Sequence, residues 1–156
     1  MSVKPIPEGF HTVTPYLTLR DAGKVIDFLK SAFDAELVYE PLFQNDGKIM
    51  HAEVKIGDSR VMITEASERA PASVSTLYLY VPDVDRVYQQ AIRAGGKSVM
   101  EPADMFYGDR SGGVKDASGN SWFVATHKQD FSRDELKKRA DAFYKAHEKD
   151  QKNKAA

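Results

Sequence analysis

His51, Glu53 and Lys55 stand at alternate positions in the run Ile49 to Ile56, whose intervening members Ala52, Val54 and Ile56 are apolar. Alternation of this kind marks a strand with two distinct faces, so a histidine and a carboxylate share the polar face. Such a pair can move a proton or begin a metal site. Glu65 and His127 extend the set, because each closes an apolar run and they lie 62 residues apart. Arg110 is the fifth group that could act in catalysis. It follows Met105, Phe106, Tyr107, Gly108 and Asp109, a segment that reads either as a mobile rim delivering a charge to a ligand or as a surface ion pair fixing a loop. Strand-end carboxylates and isolated histidines are usually solvated or paired, so a metal centre at His51, Glu53 and His127 is the lesser reading.

The elements that must position these groups come in two similar halves. Thr18-Leu19-Arg20-Asp21 and Tyr80-Val81-Pro82-Asp83 each precede an amphipathic stretch, and the two aspartates are 62 residues apart. Ala22, Val25, Ile26 and Leu29 map by that offset onto Val84, Val87, Tyr88 and Ala91, one apolar helix stripe written twice. Each aspartate sits where a helix N-cap belongs. Gly57-Asp58-Ser59 maps by the same offset onto Gly119-Asn120-Ser121, a turn entering an apolar run in both cases. The first half, residues 11–66, reads as strand (11–19), helix (22–33) and three strands (36–43, 49–56 and 60–65). The second, residues 74–127, reads as strand (74–81), helix (84–94, stopped by Gly95-Gly96) and strands at 97–101, 112–115 and 121–127. Residues 67–73 are the linker, and both halves belong to one domain over 1–130. Ser132-Arg133-Asp134-Glu135 is a capping box with Phe131 set to staple onto Leu136, opening a final helix whose tail from Lys149 is expected to fray. The expected fold is therefore α+β, two tandem βαβββ modules forming a curled mixed sheet with a C-terminal helix.

If Leu17, Leu19, Leu77, Leu79 and Val81 face the helices, the opposite face carries Thr14, Tyr16, Thr18, Thr76, Tyr78 and Tyr80. Val61 and Phe123 are expected to join that surface, with Ala125 and His127 continuing it from Phe123. Aromatic rings with polar tips suit a planar or partly apolar organic ligand, although the same tyrosines could simply pack a dry sheet interior. Phe106, Tyr107, Asp109 and Arg110 are expected at the rim of that surface.

Composition narrows the partners. With 22 basic and 23 acidic residues the formal charge is −1, so no global field steers the chain to nucleic acid or an anionic membrane. The absence of cysteine removes disulfides, thiolate zinc sites and a cysteine nucleophile. Met1 to Phe10 lacks an apolar signal core and no run of eighteen apolar residues occurs, so a cytoplasmic location is expected.

Two βαβββ halves with a strand-Asp-helix opening and an Asp-x-x-Gly turn before the last strand resemble the glyoxalase/bleomycin-resistance (vicinal oxygen chelate) superfamily. The resemblance covers about residues 12–127. His51-Ala52-Glu53, Met105 to Arg110, Asp116-Ala117-Ser118-Gly119, and Trp122 with Ala125-Thr126-His127 are similar to its PhnB-like branch. Metal-using members, the resemblance implies, draw ligands from positions that fall here on Thr14, Val61, Thr76 and Phe123. Two hydroxyls and two hydrocarbon side chains cannot bind a divalent ion in closed geometry, so no metal cofactor is expected. The resemblance also implies a homodimer, since relatives often complete a cavity across a subunit interface. A metal-free protein that binds or carries a small organic molecule is the favoured function. A glyoxalase- or dioxygenase-type enzyme built on His51, Glu53, Glu65, His127 and Arg110 is the second, and a structural or regulatory dimer the third.

Overall fold

The computed structural model describes residues 3–154, with side chains through residue 148. Strand β1 (Tyr16–Leu19), helix α1 (Ala22–Phe33) and strands β2 (Glu36–Leu37), β3 (Leu42–Phe43), β4 (Ile49–Ile56) and β5 (Ser59–Glu65) make the first half. Strand β6 (Thr76–Tyr80), helix α2 (Val84–Arg93) and strands β7 (Lys97–Asp104), β8 (Asp109–Lys115) and β9 (Ser121–His127) make the second, and helix α3 (Arg133–Lys154) follows. The expected α+β architecture is present as two mixed sheets that do not join into one. Their orders are β1-β5-β4-β2, with β3 also on β4, and β6-β9-β8-β7. In each, the first strand runs parallel to the last and the other pairings are antiparallel.

Proline accounts for two of the shifted boundaries. The first strand begins at Tyr16 rather than His11, just after Pro15, which has no N–H to donate and contributes only its carbonyl, to Met62 N at 2.9 Å. The expected strand over 36–43 is two short pieces flanking Glu40-Pro41. In contrast β7 continues through Pro102, because it is the outermost strand of its sheet and the missing donor can face away from the ladder. β8 begins at Asp109, so Asp109 and Arg110 are strand residues and not part of a mobile rim.

Each sheet buries one face under the helices. Leu17, Leu19, Ile63 and Val54 from the first sheet and Trp122 and Val124 from the second join Val25, Leu29, Val87 and Ala91 in one cluster. The halves are tied through the helices: Phe33 packs on Trp122 with ring centres 5.6 Å apart, and Gln90 Nε2 donates to Ser31 O and Asp34 Oδ1. The opposite, open faces carry Tyr16, Met62 and Glu53 in one row of the first sheet and Tyr78 with Phe123 in the second.

The two helices are capped differently from the expected pattern. Asp83 accepts from Arg86 N at 3.0 Å, as an N-cap should. Asp21 does not cap; its φ is 53° and its side chain makes no capping bond. Glu65 takes over, accepting from Asp21 N at 2.9 Å and Ala22 N at 2.8 Å, which places a carboxylate on the positive end of α1. Glu65 thus faces the helix layer and not the open face on which it was expected to act. Its counterpart is Thr126, whose hydroxyl accepts from Val84 N at the start of α2. Glu65→Ala is expected to cost about 1–2 kcal/mol, the range for a lost helix cap, and Glu65→Gln less; urea unfolding midpoints measure both.

At the other end of the chain Ser132 Oγ accepts from Glu135 N, as the capping box requires. Phe131 carries the Arg139 guanidinium 3.8 Å above its ring. The helix runs to Lys154, and residues 155–156 of the tail expected to fray lie outside the described residues.

Candidate functional site

Asp109 is the centre of the open face of the second sheet. Its pairing with His127 across β8 and β9 brings His127 Nδ1 to 2.7 Å from Asp109 Oδ1. Tyr78 and Tyr80, on alternate positions of β6, donate their hydroxyls to Asp109 Oδ2 at 3.1 and 2.9 Å. Tyr107, from the turn before β8, stands with its hydroxyl 3.4 Å from that of Tyr78. Phe123 stacks on Tyr78 with ring centres 6.4 Å apart, over the bare backbone of Gly113. The carboxylate is 3% exposed, whereas Tyr78 and Tyr80 are 43% and 67% exposed. The result is an open aromatic surface with one buried charge beneath it.

The electrostatics follow from these contacts. Burial pushes the Asp109 carboxyl up, but donation from His127, Tyr80 and Tyr78 outweighs it and holds the group below its ordinary value. His127 is raised by Asp109 and by Asp130, whose Oδ1 is 3.0 Å from Nε2. Burial moves the Tyr78 phenol well up against the lowering effect of the neighbouring Ser111 hydroxyl, with Tyr107 and Asp109 adding to the rise, and donation to Asp109 raises Tyr80. Both phenols therefore stay protonated. Ser111 Oγ lies buried on the same face with no hydrogen-bond partner.

A pH dependence follows. Asp109 is lowered on folding, so its contribution is present above about pH 4 and is lost as pH falls through the depressed value. His127 is raised, so its contribution is complete below about pH 6.5 and is lost as pH rises through the elevated value. The stability difference between wild type and His127→Ala is expected to be larger at pH 5.5 than at pH 9, measured by urea unfolding at each pH.

The first sheet holds a second carboxylate cluster. Glu53, 7% exposed, accepts from Tyr39 Oη at 2.9 Å and Arg60 Nη1 at 3.2 Å, with His51 Nε2 at 3.5 Å. His51 lies between the rings of Tyr16 and Tyr39, 6.0 and 6.5 Å away. Arg60 also lies 4.8 Å above the Phe10 ring. His51 and Glu53 are therefore together, as the alternation required, but their partners come from their own sheet. His127 belongs to the other sheet and Glu65 to the helix side. Among the described residues no group of three or more His, Cys, Asp or Glu could hold a metal ion.

Four further expectations change. Arg110 is turned to the helix side, where Nε and Nη2 meet Asp85 Oδ2 and Oδ1 at 2.8 Å each and Nη1 reaches Asp104 at 3.3 Å; it is the fixing ion pair, and no rim. Val61 is 3% exposed and packed in the core. Met62 takes its place beside Tyr16 on the open face. Phe106 packs against Phe143 of α3, ring centres 5.0 Å apart, and on Tyr107 edge-on. Thr14, ahead of β1, donates its hydroxyl to His11 O. A cleft of about 870 Å³ runs along β6, lined by Pro15, Val61, Thr76, Tyr78, Tyr80 and Trp122 among others, so the cleft and the Asp109 cluster meet at two tyrosines.

Tyr39, Arg60, Ser111 and Asp130 were not anticipated. Arg60 alternates with Met62 and Thr64, so a correctly registered β5 would have revealed it. The Asp116 turn, by contrast, is structural: the carboxylate accepts from Ser118 N, Asn120 N, Asn120 Nδ2 and Trp122 Nε1, which satisfies a buried indole.

Two βαβββ halves with a shared helical core define a duplicated α+β protein with two open sheet faces, one of them built around a buried carboxylate and aromatic rings. Residues 9–124 match the Glyoxalase/Bleomycin resistance protein/Dioxygenase superfamily model, and the chain belongs to that superfamily. It is 34% identical over 136 residues to the uncharacterized protein Rv0887c of Mycobacterium tuberculosis, covering 80% of this chain and 79% of the relative. The structure resembles TioX from Micromonospora sp. ML1 with a TM-score of 0.60 and 24% identity, over 74% of this chain and 98% of that one. It also resembles a PhnB protein from Bacillus cereus with a TM-score of 0.59 and 19% identity, over 74% and 99% of the two chains. The metal positions implied by the superfamily hold Thr14, Thr76 and Phe123 with buried Val61, or Met62 on the open face. That donor set does not fit a divalent cation, which needs three or four strong nitrogen or oxygen ligands. No helix among the described residues is long and apolar enough to cross a membrane.

Proposed function

We propose that this protein binds a small organic molecule against the tyrosine face of its second sheet, without a metal, as a cytoplasmic homodimer. One observation carries the reading: a buried, ionised Asp109 fixes Tyr78, Tyr80 and His127 on an open surface, beside a buried Ser111 hydroxyl with no partner. Preorganised polar groups among aromatic rings are what orient a small ligand. Thr76 and Phe123 extend the surface on β6 and β9, and Tyr107 borders it. The homodimer is supported by the large exposed side chains Tyr16, Leu42 and Phe43 of the first sheet, apolar surface that a second copy would cover. The superfamily model includes bleomycin resistance proteins, which agrees with ligand capture. The experiment is a ligand screen by thermal shift on chelator-treated protein, with hits mapped by NMR. Stabilisation with shifts at Tyr78, Tyr80 and Phe123 is expected; binding that vanishes with chelation and returns with a divalent ion refutes the reading.

A superfamily enzyme is the second reading, favoured by the 2.7 Å contact that orients His127 against a buried carboxylate, as a general acid or base requires. It predicts that His127→Ala abolishes turnover of a bound ligand while leaving its affinity nearly intact.

A further inference from the structure

Which molecule this face would accept is written in the direction of its hydrogen bonds, given the ligand-binding reading above on which the inference rests. A phenol has one proton to donate and two lone pairs. Tyr78 and Tyr80 both give that proton to Asp109 Oδ2. With its proton so committed, Tyr78 can only accept across the 3.4 Å contact to Tyr107, so the Tyr107 proton also turns inward. The hydrogens of all three hydroxyls therefore point inward, those of Tyr78 and Tyr80 to the carboxylate and that of Tyr107 to Tyr78, and the lone pairs left toward the ligand are chiefly those of Tyr80 and Tyr107.

Charge reinforces this polarity. Asp109 is ionised and almost wholly buried, and the imidazole that contacts it is shared with a second carboxylate, Asp130. The Arg110 guanidinium next in sequence is engaged elsewhere. Arg110 is held by Asp85 and Asp104 on the helix side, in a pocket that Lys128 shares and that reaches Asp109 from behind the tyrosines. Lys115 is at the far end of β8, roughly 20 Å from Asp109 at the rise of an extended strand. The faces of Tyr78, Tyr80 and Phe123 add the negative side of the aromatic quadrupole. The Tyr80 oxygen and the aromatic faces of this surface thus ask the ligand for hydrogens or positive charge.

We infer that the ligand is a planar organic cation carrying N–H donors, of the amidinium, guanidinium or aminoheteroaromatic class, and neither an anion nor a simple neutral aromatic. The positive group sits over the hydroxyls of Tyr78 and Tyr80, and the ring system lies along Tyr78 and Phe123. This commitment separates the face from the Glu53 cluster, where the Arg60 guanidinium already supplies a positive partner.

The test uses three probes of one shape: 2-naphthamidinium, 2-naphthamide and 2-naphthoate, titrated into the full chain at pH 7 by calorimetry and mapped by NMR at Tyr78, Tyr80 and Phe123. The amidinium is expected to bind at least tenfold more tightly than the amide, with the naphthoate weakest. Asp109→Asn, which lets the phenol protons turn outward, is expected to reduce that preference to within about twofold. If the amide or naphthoate binds as tightly as the amidinium and shifts the same residues, the cation class is wrong while the ligand face stands. If none of the three shifts those residues, both the class and the ligand-face reading fall. Should Asp109→Asn unfold, the wild-type ranking alone decides the matter.

Discussion

Asp109→Ala is expected to lower the free energy of unfolding by about 3 kcal/mol, and to weaken binding at the tyrosine face at least tenfold. The carboxylate is the shared acceptor for Tyr78, Tyr80 and His127. Its removal leaves three donors without the partner that fixed their geometry, and each unsatisfied buried group costs on the order of 1–3 kcal/mol. The exposure of Tyr80 and His127 lets water replace part of the loss, which keeps the total near the low end of the sum. Urea unfolding of the variant measures the stability term. Titration with any ligand found in the thermal-shift screen measures the other, and unchanged affinity would separate Asp109 from binding.

Gly108→Ala is expected to cost about 4 kcal/mol and to displace Tyr107 and Asp109 together. Gly108 has φ of 104°, a backbone state that strains an L side chain by about 1–3 kcal/mol. An added Cβ would also fall within contact of the Gln129 carbonyl oxygen, and such overpacking costs about 1–3 kcal/mol more. The chain cannot easily move aside, since Lys128 N and Gln129 N both donate to Gly108 O. Calorimetric unfolding gives the stability, and the ring and amide resonances of Tyr107 and Asp109 report the displacement. A variant with wild-type stability and unchanged resonances would contradict the description of this turn.

The parts of this molecule that repeat locally were legible in the sequence. The stripe Ala22, Val25, Ile26 and Leu29 placed α1 at its observed ends, because a helix face is specified by residues a turn apart. Alternation along β6 and β9 likewise put Tyr78, Tyr80 and Phe123 on one face. What escaped depends on contacts distant in sequence. Nothing near Asp21 announces that its helix is capped by Glu65, 44 positions later. Tyr39 lies in an irregular stretch between β2 and β3, where no periodicity assigns a direction. Arg110 alternates with Asp109, so the face it occupies could not be known until the strand was seen to begin before it.

The misplacement of Val61 has a separate origin. Matching Gly57 to Gly119 aligns the two last strands on their turns, but the turns differ in length: two residues separate β4 from β5 and five separate β8 from β9. Partners across the parallel pairs give the true register, Tyr16 with Met62 and Tyr78 with Phe123. The helices are offset by 62 positions and the last strands by 61, and a slip of one residue exchanges the two faces of a strand.

That single-residue difference limits how the halves can recombine. A chimera that grafts β9 in place of β5, joined at the glycines, would turn the indole of Trp122 to water and drive Phe123 into the interior. Adding one residue at the junction restores both, because Trp122 then falls at the position of Val61. Transfer of this strand into the first half is therefore productive only when the crossover carries a compensating one-residue insertion, a barrier that keeps the tyrosine-bearing half distinct from its twin.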